Sequence, residues 1–323
     1  MKKSTSLILV LLLAFMLAAC GNDKDNSGGD ASGSPAGEAG SGKKIVIGVS
    51  ILNMANEFTA TLAKGIEEKG KELGVKIIIN DGQKDPNKQI QQVETFIAQK
   101  VDAIIFNPIE AEASSPAVDK AKEAGIPIIN VNSVTKSAPD AFVGSRDQES
   151  AKIAIDYLAE RLGSKGNLVM MHGHLGQSAE IDRTEGAVEA LKAYPDMKLI
   201  AEQTAEWNRD KALTLMQNWL QAHDGQIQGV FAQNDEMGMG ALKALEDSGV
   251  KKDIVLVSVD AIADALQAVK DGRLDATVFQ NAAAQGGGAL ETALKIINKE
   301  SFEKEVFVPF ELVTKDNVDQ YLK

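Results

Sequence analysis

From Lys44 to the carboxyl end, short runs rich in Val, Ile and Leu alternate with longer amphipathic stretches. The runs 45–50, 75–79, 103–106 and 127–131 open the series, with helical spacing at 57–73, from Asp85-Pro86 onward, and at 114–124. Asp85 supplies a capping carboxylate, and Pro86 a backbone angle already set for a first helical turn. A second series begins after Gly144, with runs at 167–171, 198–203, 229–232, 254–259, 276–280 and 306–310. Helical stretches at 147–162, 178–193, 209–222, 235–247, 261–271 and 282–298 separate them. The short runs do not alternate apolar with polar, so both faces of each strand have to be covered. This predicts an α/β fold of parallel sheets flanked by helices. The restart near residue 145 divides it into two doubly wound lobes.

Ligands of such sheets sit beyond the carboxyl ends of the strands. Two facing lobes set two groups of strand-end loops across one cleft. Those loops hold Asn53, Asn56 and Phe58 after the first run, and Asn132-Ser133 after the fourth. In the second series they hold His172-Gly173-His174, the segment 177–183 ending at Arg183, and Trp207-Asn208-Arg209. Gln233-Asn234-Asp235, Asp260 and Gln280-Asn281 complete the set. Amides, carboxylates and an arginine offer the paired donors and acceptors that hydroxyl groups require, and aromatic faces suit the C–H surface of a ring. No nucleophile-and-base pair stands out.

Each residue also has a structural reading. Asn and Asp at strand ends cap helices, and Asp235 and Arg209, both at helix starts, read that way. Trp207 fits a core position as well as a ligand wall, and Phe58 shares an apolar helical stripe with Leu62. Met237 and Met239 read as core. His172 and His174 lack a nearby third ligand, so a metal is not expected.

The amino terminus speaks to location. Lys2 and Lys3 precede an almost wholly apolar run at 7–19, too short for a membrane span of roughly 20 residues and suited to a signal peptide. The run ends in Leu17-Ala18-Ala19-Cys20-Gly21, which resembles a bacterial lipobox and implies lipidation of Cys20 with removal of residues 1–19. Cys20 is the only cysteine, so no internal disulfide can form. Residues 22–42 are mostly Gly, Ser, Asp and Ala with one Pro and no large apolar side chain, and read as a flexible tether reaching roughly 25 Å. Gly37 to Lys44 approaches a phosphate-binding loop, but Lys44 fills the place of the required hydroxyl and the strand follows instead of preceding. A net charge of −12 argues against nucleic acid as a partner and suits a neutral ligand.

Ile47-Gly48-Val49-Ser50, Asn80-Asp81-Gly82-Gln83, Phe231 to Met237 and Val257-Ser258-Val259-Asp260-Ala261 resemble the ribose/galactose-type periplasmic binding proteins over essentially all of residues 44–323. Thr204 to Trp207, Thr277 to Gln280, Gln285-Gly286 and Val308 to Thr314 resemble the inositol-binding branch. The resemblance implies two lobes joined by a three-stranded hinge, with crossings near Ser145-Arg146, Gln280-Asn281 and Pro309-Phe310. The chain then divides into a signal peptide (1–19), a lipidated cysteine and tether (20–42), one lobe (43–145 with 281–309) and a second lobe (146–280 with 310–323). It implies ligand contacts at Asn56, Phe58, Asn132, Arg183, Trp207, Asn234, Asp260 and Gln280. Ser133 stands where relatives often carry Arg or Lys, Asn56 where the galactose branch has Asp, and Ile181 where several relatives have a second arginine. The galactose-type calcium loop has no counterpart around Gly163 to Gly166.

The expectation is a monomeric extracytoplasmic lipoprotein, without cofactor, that hands a neutral cyclic polyol or monosaccharide to an ABC permease. An inositol comes first among ligands, and a ligand-sensing receptor component is the alternative. A transcription-regulator effector domain would need a helix-turn-helix where the signal peptide stands. A doubly wound enzyme would need G-x-G-x-x-G after the first strand or G-x-S-x-G, and neither occurs.

Overall fold

The structure, a computed structural model, describes residues 44–322. Cys20, the leader and the tether lie outside the described residues. The chain runs β1 (Val46–Ile51), α1 (Glu57–Glu72), β2 (Lys76–Asp81), α2 (Pro86–Gln99), β3 (Ala103–Phe106), α3 (Ser115–Glu123), β4 (Ile128–Val131) and β5 (Ala141–Gly144). It continues through α4 (Asp147–Leu162), β6 (Lys165–His172), α5 (Ser178–Leu191), β7 (Asp196–Thr204), α6 (Arg209–Ala222), β8 (Gly229–Ala232) and α7 (Asp235–Asp247). β9 (Val255–Asp260), α8 (Ala263–Lys270), β10 (Ala276–Gln280), α9 (Ala282–Ile297), β11 (Glu305–Phe307) and β12 (Phe310–Thr314) complete it.

Two six-stranded sheets result, ordered β11-β5-β4-β3-β1-β2 in lobe 1 and β12-β10-β9-β8-β6-β7 in lobe 2. The strands of β3 and β4 are buried at every position, as uninterrupted apolar runs require. Alternate residues serve opposite faces. Ile105 packs with Ile47, Val49, Leu62, Ile66 and Leu290 on one side of the first sheet, while Ile104 and Phe106 pack with Val93, Phe96 and Val118 on the other. The second sheet is covered in the same way on both faces. At the start of α2, Asp85 accepts from the backbone of Asn87 and Lys88, ahead of Pro86.

Two expectations need correction. The run at 306–310 is not one strand: β11 joins β5 in lobe 1, and β12 joins β10 in lobe 2. Pro309, which has no N–H to give a ladder, lies between them. The second sheet is also not wholly parallel, since β12 runs antiparallel to β10. The short strand β5 was not anticipated. The chain thus passes between the sheets three times, after β5, after β10 and after β11.

Helix α9, although it follows the last parallel strand of lobe 2, packs on α1 in lobe 1. The contact is backbone to backbone, because a Cβ on Gly286 would stand 2.3 Å from the carbonyl oxygen of Leu62. Gly286→Ala is therefore expected to force the two helices apart and destabilise the protein by about 1–3 kcal/mol. Differential scanning calorimetry should show a lower Tm, and an unchanged Tm would contradict this packing.

Candidate ligand-binding site

The carboxyl ends of the strands of both lobes face one cavity of about 450 Å³, part of it open to solvent. Lobe 1 lines it with Asn53, Asn56 and Phe58 after β1, Lys84 after β2 and Asn132 after β4. Lobe 2 lines it with Gln177 and Arg183 after β6, Trp207 after β7, Asn234 after β8, and Asp260 and Gln280 ending β9 and β10. All eight residues singled out from the sequence as ligand contacts line this cavity. Lys84 and Gln177 were not among them. β2 runs two residues past its expected end, to Asp81, which moves the strand-end loop onto Lys84. Gln177 lay within a strand-end segment from which only Arg183 was chosen.

Several of these side chains have a second, structural employment. Asn56 caps α1 by accepting from the Phe58 N–H at 3.0 Å, and Asn234 caps α7 by accepting from the Met237 N–H at 3.0 Å. Each Oδ1 has one lone pair committed to a cap, and the Nδ2 donor is left to offer a ligand. Phe58 belongs to the core of lobe 1 and also lines the cavity. Trp207 packs beside the lobe 2 core. Its ring lies against the backbone of Gly173, where any Cβ would come within 1.8 Å of the indole. Arg209 is occupied with Glu236 and Asp264, away from the cavity lining.

Arg183 forms the floor. It is only 3% exposed. Its Nε donates to Asp147 Oδ1 at 2.9 Å, one terminal nitrogen donates to the Gln233 carbonyl, and the other to Gln280 Oε1 at 2.9 Å. Gln280 Nε2 is buried without a hydrogen-bond partner. Burial pushes the Asp260 carboxyl well above the ordinary carboxylate range, while the Arg183 charge pulls it the other way. Asp147 is likewise raised by burial against the pull of Arg183. Beneath them Asp235 accepts from Ser258, from Thr277 at 2.7 Å and from the Ile262 N–H at 2.9 Å; burial raises it to about 7 despite those donors. Four lining residues other than glycine adopt positive φ: Lys84 at 59°, Asn132 at 66°, Trp207 at 56° and Asp260 at 129°. Such angles are costly, and they persist only where the surroundings enforce them. The rim is closed by bonds between lobes, including Lys84 Nζ to the Glu206 carbonyl at 3.2 Å and the Ala263 N–H to Glu57 Oε1 at 2.9 Å.

Residues 47–301 match the family model for the periplasmic binding protein domain. The chain belongs to the periplasmic binding protein family. This periplasmic binding protein is 37% identical over 275 residues to the xylitol-binding protein of Mycolicibacterium smegmatis, covering 84% of this chain and 78% of that protein. It is 36% identical over 315 residues to the ribose import binding protein RbsB of Bacillus subtilis, covering 97% and 99%. A solved ABC-transporter solute-binding protein from Bacillus halodurans, with bound myo-inositol, superposes with a TM-score of 0.83 at 37% identity. That superposition covers 88% of this chain and 99% of the other.

His172 and His174 go to separate carboxylates. His174 Nε2 lies 3.2 Å from Glu110 of lobe 1. His172 lies 3.0 Å from Glu180 through Nδ1 and 3.1 Å from Glu202 through Nε2. Among the described residues no group of three or more His, Cys, Asp or Glu is placed to hold a metal ion. Burial of His172 opposes its protonation, but the bonds to Glu180 and Glu202 outweigh it and raise its pKa. The raised folded-state value means that this group's stabilising contribution is complete below the ordinary histidine value of about 6.5 and is lost as pH climbs through the folded-state pKa. The Tm of the native protein minus that of His172→Gln should therefore shrink as pH rises above about 6.5. A thermal-melt series in which the difference stays constant or grows would contradict it.

Proposed function

We propose that this protein captures a small neutral cyclic polyol or monosaccharide outside the cell and presents it to an ABC permease, with an inositol as the first candidate ligand. The observation that carries the reading is the cavity floor. There a buried donor, Gln280 Nε2, lacks an acceptor beside Arg183 and Asp260, between aromatic side chains contributed by opposite lobes. A ligand hydroxyl supplies the missing acceptor, and its own proton can go to Asp260. Asn56, Asn132 and Asn234 add amide groups, and the ring packs between Phe58 and Trp207. Because the contacts come from both lobes, the ligand favours the closed arrangement by differential binding. The bound inositol of the Bacillus halodurans relative and the ribose named for another support this ligand class, and the xylitol named for a third supports a small neutral polyol more broadly. Binding without turnover is the chemistry such a site performs.

A thermal-shift panel of inositols, hexoses and pentoses tests the class, since a ligand at about 100 times its Kd stabilises by about 2.7 kcal/mol. Asp260→Ala is expected to weaken the ligand so found by about 1–3 kcal/mol, roughly fivefold to 150-fold, in a calorimetric titration. Unchanged affinity would remove Asp260 from the site. Loss of uptake of that ligand on deletion of the gene separates import from sensing.

The lipobox-like sequence ending at Cys20 supports anchoring to the outer face of the membrane. Cys20→Ser is expected to abolish labelling by radioactive palmitate and to release the protein from the membrane fraction. A variant that stays bound would refute the anchor.

A further inference from the structure

Gln177, only 4% exposed, has both ends of its amide engaged. Its Oε1 accepts from Trp207 Nε1 at 2.6 Å, within lobe 2. Its Nε2 donates across the cleft to Ser133 Oγ of lobe 1 at 2.9 Å. Ser133 is itself only 1% exposed, so this bond is made away from solvent. From there a series of side chains continues through lobe 1. Ser133 Oγ lies 3.4 Å from Asn132 Oδ1, and Asn132 Nδ2 lies 3.3 Å from Gln285 Oε1. Gln285 Nε2 donates to Ser145 Oγ at 2.9 Å, and Ser145 Oγ to the Val308 carbonyl at 2.6 Å. Ser145 and Val308 lie in two of the three connections between the lobes.

We propose that Gln177 is a positioning residue for ligand recognition, fixing the plane of the Trp207 ring and tying that plane to lobe closure through Ser133. The proposal deepens the capture reading and rests on it. An indole whose N–H is already satisfied by Gln177 presents a ring face and no donor. On this wall the amide of Gln177 and the indole N–H are paired inside the protein, so a ligand meets an apolar surface there and finds its polar partners on the Arg183 floor. The wall therefore favours a ring that turns a C–H face to Trp207, and disfavours a charged or strongly polar substituent at that end. Parting the lobes removes Ser133 from Gln177 and frees the amide to rotate, which loosens the indole at the moment the ligand is exposed.

The test uses the mature binding protein with two readouts. Iodide quenching of tryptophan fluorescence, without ligand, reports Trp207, because the other tryptophan, Trp219, is 6% exposed in the core of lobe 2. Gln177→Leu is expected to raise that quenching, and unchanged quenching overturns the claim that Gln177 holds the ring. Calorimetric titration with myo-inositol and with D-ribose gives the second readout. Gln177→Leu and Ser133→Ala should each weaken the probe that the native protein binds by about tenfold, and the double variant should bind as Gln177→Leu does. Additive losses, or none, overturn the link across the cleft. In a Trp207→Phe background, which keeps the aromatic face and lacks the N–H, Gln177→Leu should cost less than about threefold. An undiminished loss there would mean that Gln177 touches the ligand itself. A native protein that binds neither probe nor any inositol, hexose or pentose of the thermal-shift panel removes the capture reading and the recognition half of this proposal, while the quenching still decides whether Gln177 holds the ring.

Discussion

A guanidinium buried as deeply as that of Arg183 has to be matched on every side, because an unpaired buried charge costs several kcal/mol. Its partners come from four places: Asp147 at the start of α4, the Gln233 carbonyl after β8, the Gln280 amide at the end of β10, and the nearby carboxyl of Asp260 at the end of β9. One cation therefore fixes the height at which three strands stop and one helix begins. Asp147 and Gln280 also border two of the connections between the lobes, so the floor of the cavity and part of the pivot are held by the same ion. A change that repositions Arg183 disturbs recognition and lobe geometry together.

The cavity is prepared before any ligand arrives. Asn56 and Asn234 are locked by their capping bonds, and Lys84, Asn132, Trp207 and Asp260 are held at backbone angles that free residues avoid. Ordering these groups is thus charged against the fold and not against binding, which leaves more of the contact energy available to the complex. The residues that tune the ligand rest on this frame at second hand, as Gln177 does through Trp207.

Much of this was legible in the chain because parallel strands buried on both faces leave unbroken apolar runs, and their carboxyl ends point to a site. Runs such as Ala103 to Phe106 state their strand directly. The rule of strand ends then reaches Asn132, Arg183, Asn234, Asp260 and Gln280 without knowledge of a partner. It failed where the deciding fact lies outside the run. Ala141 to Gly144 is short and follows a polar turn, so it carries no period of its own. Val306 to Phe310 reads as continuous, although its two halves belong to different sheets. Gln177 gives no local sign of its task, since Trp207 stands 30 residues away and Ser133 44.

The sheets share one further property. Five strands follow the order β5-β4-β3-β1-β2 in lobe 1 and β10-β9-β8-β6-β7 in lobe 2, each with a late strand added beside the fifth. The two lobes thus repeat one strand order. A cleft built between two copies of one plan consists of two half-sites carried on separate loops. Either half can drift while the other keeps its grip on the ligand, so new specificities can arise without an ancestor that binds nothing.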